Sequence, residues 1–114
     1  MIEKQLLKGS LKSIILKLLK DYGRMYGYEI TQKVEELTQG KIKLTFGALY
    51  PILHKLEDQG DLLTESEIVN NRTRVYYKLT DKGAKTTDIK IRELREFIET
   101  ITVFINKDLG YAIG

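Results

Sequence analysis

Cysteine is missing altogether from this chain of 114 residues, so neither a disulfide framework nor a thiolate metal site can be built from it. Its one histidine, His54, cannot hold zinc alone, and no cluster of other ligand types suggests a metal site. Tryptophan is also absent, and proline occurs once, at Pro51. No apolar run approaches the ~20 residues that cross a bilayer, and Met1-Ile2-Glu3-Lys4 lacks the basic start and apolar stretch of a signal peptide. These absences predict a protein without membrane contact, located in the cytoplasm. There is no glycine-rich phosphate loop and no acid pair with a base, which argues against an enzyme and against a bound cofactor.

What the chain does contain is globular in character, with 42% hydrophobic and 31% charged residues, enough for one domain with an appendage. The net charge of +3 is compatible with nucleic acid but too mild to argue for it alone. Its distribution says more: residues 1–80 hold 13 Lys and Arg against 10 Asp and Glu, while residues 81–114 hold 6 of each.

Hydrophobic spacing predicts a first helix from Leu6 to Asp21, with Leu7, Leu11, Ile14, Ile15, Leu18 and Leu19 on one stripe. A second is expected from about Tyr26 to Thr38, with Tyr26, Ile30, Val34 and Leu37 inward and Gly40 marking its end. The third has Thr45 as its cap, Leu49, Ile52, Leu53 and Leu56 inward, and Gly60 as its stop. Pro51 leaves two readings, a late start near Tyr50 or a start at Phe46 with a local kink. Residues 62–68 and 73–79 read as strands joined by a tight turn at Asn70-Asn71, with Val75, Tyr77 and Leu79 on one face and Arg74, Tyr76 and Lys78 on the other. Thr80 then caps a long last helix on which Ile91, Leu94, Ile98, Ile101 and Ile105 recur at spacings of three and four, widened by Phe97 and Phe104.

A short helix feeding a basic-tipped hairpin can place the helix in a DNA major groove and the hairpin beside the flanking phosphates. The expected fold is therefore mainly α with a small β-hairpin: a winged helix-turn-helix domain over residues 1–80 and a C-terminal dimerisation helix over 81–114. On the third helix Gly47, Ala48, Tyr50, Pro51, His54 and Lys55 lie opposite the core, where small residues admit the backbone and Tyr50, His54 and Lys55 can bond to bases or phosphates. Lys43 and Thr45 stand before the helix, where its amides favour a phosphate. Arg72, Thr73 and Arg74 form the hairpin tip, suited to a narrow, negatively charged minor groove. Tyr28 adds a phenol near the start of the second helix. Read plainly, the same residues are a solvated surface. The seam of Ile91, Leu94, Phe97, Ile98, Ile101, Phe104 and Ile105 is too apolar to stay wet, since each such side chain gains ~1.5 to 3 kcal/mol on burial, so a second copy of the chain is expected to cover it.

Taken together these segments resemble the PadR-type transcriptional repressors of bacteria. The likeness runs through Ile15-Leu16 and Leu18-Leu19, Tyr26-Gly27-Tyr28-Glu29-Ile30, Gly47-Ala48-Leu49-Tyr50-Pro51-Ile52-Leu53 with Leu56-Glu57 and Gly60, then Arg72, Arg74, Tyr76-Tyr77 and Leu79-Thr80 before Gly83. The resemblance implies a homodimer that grips a pseudo-palindromic operator on double-stranded DNA. The short C-terminal part is similar to the smaller subclass, some members of which bind flat hydrophobic compounds between subunits. A small hydrophobic effector against Leu7, Leu11, Ile14, Leu94 and Phe97 is one reading of this apolar layer and a packed wall without ligand the other, since the two have the same composition. Three departures stand out: Ala48 where the family usually has Thr, Asn71-Arg72-Thr73-Arg74-Val75 where it usually has Gly-Arg-Pro-Arg-Lys, and no Trp on the last helix. A winged-helix module that binds protein and no nucleic acid is the alternative.

Overall fold

The computed structural model describes residues 2–107. In chain order they form α1 (Lys4–Lys8), α2 (Leu11–Tyr22), β1 (Met25–Tyr26), α3 (Gly27–Leu37), α4 (Phe46–Asp58), β2 (Leu62–Val69), β3 (Arg72–Leu79) and α5 (Asp81–Asn106). The fold is mainly helical, with one antiparallel sheet in the order β1-β3-β2.

The first expected helix is two helices. Glu3 accepts from the amides of Gln5 and Leu6 to start α1, and the chain turns at Gly9-Ser10 before α2 begins. Glycine carries the largest entropic penalty of any non-proline residue in a helix, and serine competes for backbone bonds, so the break falls where propensity is weakest. The second correction is β1, which pairs Met25 with Tyr77 and Tyr26 with Tyr76. Tyr26 therefore sits on the sheet as the N-cap of α3 and not on that helix's inner stripe. Leu37, expected inward, is 53% exposed because it falls on the last turn of α3, beyond the core.

The core joins Ile15, Leu16 and Leu19 of α2 to Ile30 and Val34 of α3, Leu49, Leu53 and Leu56 of α4, and Leu62 and Tyr77 of the sheet. Helix α4 starts at Phe46, so Pro51 lies inside it; lacking an N–H, Pro51 cannot donate to the Gly47 carbonyl one turn earlier. The hairpin turns through Asn70 and Asn71, both at positive φ (50° and 62°), and its register runs from Leu62 opposite Leu79 to Val69 opposite Arg72. Val75 shares the inner face but is exposed, because the hairpin has by then run past the core.

Thr80 caps α5 by accepting from the Gly83 amide at 2.9 Å while its own hydroxyl donates to the Gly60 carbonyl. The first turns of α5 pack on α2 and the α4–β2 turn, where Asp61 is buried and accepts from Thr86. The radius of gyration is 16.4 Å, against ~13 Å for a compact chain of this length, because the far half of α5 projects from the rest.

Candidate nucleic-acid interface

Helix α4 packs against β2 of the hairpin, where the Thr64 hydroxyl donates to the Glu57 carboxylate at 3.2 Å. Thr45 caps α4, its side chain accepting from the Ala48 amide at 3.1 Å. Gly47, Ala48, Pro51, His54 and Lys55 are exposed along the helix, as their positions opposite Leu49 and Leu53 require. Tyr50 behaves differently. It is half-buried against the core, with its hydroxyl over Gly27 at the start of α3 and its ring between Phe46 (centroids 5.8 Å) and His54 (6.0 Å). Its phenol locks the two helices together more than it reaches outward. Lys43 is exposed beside a recess that also holds Glu35 and Glu36, so its charge is partly offset.

On the hairpin, Arg72 and Thr73 are exposed at the tip, whereas Arg74 is half-buried, its guanidinium 4.5 Å from the centre of the Tyr26 ring. The outer face is a mixed layer. Glu65 and Glu67 stand opposite Tyr76 and Arg74, and Arg24, just before β1, donates to both carboxylates while lying 4.2 Å over Tyr76. The bond to Glu67, then that to Glu65 and both negative charges, raise the Arg24 pKa further above the solution range. Tyr26 meets Tyr76 edge-on at 5.4 Å and stacks on the exposed Tyr28 at 6.4 Å.

Residues 15–88 match the profile of the transcriptional regulator PadR-like family. The chain belongs to that family. Transcriptional regulator Rv3488 of Mycobacterium tuberculosis is 32% identical over 77 residues, covering 68% of this chain and 69% of the relative. A transcriptional regulator from Clostridium thermocellum superposes with a TM-score of 0.82 at 27% identity, covering 90% of this chain and 99% of the other. Bacillus subtilis PadR in complex with operator DNA superposes at 0.64 with 30% identity, over 71% of this chain and 46% of that one.

Within this PadR-like chain, sequence reasoning placed Tyr76 on the outer face of the hairpin but missed Arg24, Phe46, Tyr26, Glu65 and Glu67 as parts of the surface. Alternation along the two strands would have paired the glutamates with Arg74 and Tyr76, but a two-residue β1 has no period to detect. Phe46 was hidden by its place at the first position of α4, where it is 49% exposed. The expected effector-lining set is divided. Ile14 and Leu94 line a groove of about 250 Å³ between α2, α3 and α5, and Leu94 and Phe97 line a second recess of about 520 Å³ beside α1. Leu11 is buried and Leu7 half-buried against the core, so neither faces these spaces. On α5, Ile91 and Leu94 are half-covered by the chain itself, while Phe97, Ile98, Ile101, Phe104 and Ile105 are exposed.

Proposed function

We propose that the chain is a sequence-specific DNA-binding transcriptional regulator in the cytoplasm, acting as a homodimeric repressor and catalysing no reaction. Helix α4 enters the major groove with Gly47, Ala48, Pro51, His54 and Lys55 toward the bases, and Tyr50 sets the angle of that helix against α3. Arg72 and Thr73 reach the minor groove beside it, Arg74 lies on Tyr26 at its edge, and Tyr28, Lys43 and Thr45 meet the backbone. The observation that carries this reading is the small-residue, exposed face of α4, on a helix packed against the hairpin, in a chain whose relative has been seen on operator DNA.

Residues 1–80 serve as the reading unit and 81–114 as the pairing unit, of which 108–114 lie outside the described residues. Five apolar side chains exposed on consecutive turns of α5 support pairing with a second copy, which would set two α4 helices about one DNA turn apart. The grooves beside Leu94 and Phe97 suit a small hydrophobic effector that relieves repression by changing that spacing.

The test is selection of bound fragments from random and genomic DNA. An enriched inverted repeat, with binding that weakens steeply as salt rises, supports the reading. A protein-binding module would enrich no sequence. Sedimentation at micromolar concentration checks the pairing: Ile101→Glu should convert a dimer to monomers and lower operator affinity at least tenfold.

A further inference from the structure

The outward side of the first two turns of α4 carries almost no hydrogen-bonding side chain. Phe46, Gly47, Ala48 and Pro51 are exposed there, the Tyr50 hydroxyl is turned in over Gly27, and Thr45 is occupied as the cap. Exposed groups with polar atoms begin at His54 and Lys55, about two turns in. A helix that recognised bases at its leading end through paired hydrogen bonds would need Arg, Asn or Gln in these positions. This one offers a phenyl ring, a methyl group and a pyrrolidine ring.

In the major groove, thymine is marked by its C5 methyl group, which an apolar side chain recognises by burying it. Resting on the DNA-binding reading above, we propose that Phe46, assisted by Ala48 and Pro51, contacts thymine methyl groups in each half-site and so selects thymine over cytosine. The charge of the chain fits duplex DNA as the occupant: exposed Lys43 precedes the apolar stretch by three residues, exposed Lys55 follows it one turn after Pro51, and the hairpin adds exposed Arg72, cations suited to the phosphates beside the base edges. The Phe46 ring also rests against Tyr50, so less side-chain freedom is lost when it docks.

The experiment uses the full chain and the duplex obtained by selection. Each thymine is replaced in turn by deoxyuridine, which removes the methyl group and leaves every hydrogen-bonding edge intact. Wild-type protein should bind about fourfold more weakly when the critical thymine of a half-site is replaced, the ratio that ~0.8 kcal/mol for one buried methyl amounts to. In Phe46→Ala that ratio should fall to about one, with only a small drop in melting temperature because the ring is half in solvent and outside the core. Phe46→Leu, smaller but still apolar, should give an intermediate ratio and serves the same comparison if the Ala variant binds too weakly to titrate. A selected operator that tolerates deoxyuridine at every position, or a methyl dependence that persists undiminished in the Phe46 variants, overturns the thymine assignment and leaves DNA binding standing. If selection enriches no sequence at all, both readings fall together.

Discussion

The Tyr50 phenol lies directly over Gly27, so that a β-carbon placed at Gly27 would overlap its hydroxyl and come within 2.8 Å of Cζ. This contact ties the reading helix to the first turn of α3. Gly27→Ala should push the ring outward at a cost of roughly 1 kcal/mol, the low end for overpacking because the far end of a side chain can yield. In a Tyr50→Ala background the same substitution should cost almost nothing. Urea unfolding of the four proteins in the cycle measures that coupling.

Gly83 offers the contrast. A β-carbon there would collide with the backbone of Asp61, 3.2 Å from its Cα and closer still to its carbonyl, where no side chain can swing away. Gly83→Ala should therefore cost ~3 kcal/mol, clearly more than Gly27→Ala. The same urea midpoints rank the two, and equal losses would show that α5 is free to shift on the α4–β2 turn.

Arg24 holds Glu65 and Glu67 on the outer face of the hairpin, and all three are solvent-accessible. Exposed ion pairs contribute little to stability, ~0 to 1 kcal/mol, so Arg24→Ala should hardly change unfolding. Its effect should appear on DNA, because Glu67 would lose its cation and Glu65 would keep only Lys78, 3.9 Å away, leaving more negative charge toward the phosphates: binding should weaken for all sequences alike, with a shallower salt slope. Adding Glu65→Gln and Glu67→Gln should restore much of the loss. Filter-binding titrations at several salt concentrations test this, and failure of the Gln pair to rescue would mean that Arg24 touches DNA itself.

Burial, followed by the nearby Tyr50 and Glu57, raises the pKa of the Tyr77 phenol. The folded state thus holds this proton more tightly than the unfolded chain does. Stability from that difference is complete below the ordinary phenol range near ~10 and is lost as pH rises from there through the folded value. Tyr77→Phe should flatten the alkaline fall in stability relative to wild type, as read by urea midpoints from about pH 8 to about pH 11.

Local rules carried much of this architecture. The Leu and Ile spacing that makes α2 and α4, the Asn70-Asn71 turn, and the Thr45 and Thr80 caps each depend on residues within a few positions of one another, so the order of residues along the chain determined them. Pro51 was ambiguous locally; the buried Leu49, Leu53 and Leu56 decided in favour of the longer helix. Tertiary structure alone decided the rest. Strand β1 is two residues long and exists through its pairing with β3 some fifty residues away. Tyr50 turns inward because Gly27 leaves room for it, and Arg74 lies down on a tyrosine that β1 delivers. A side chain at the edge of a helical or strand face takes the direction that its distant neighbours leave open, and no local period records where those neighbours are.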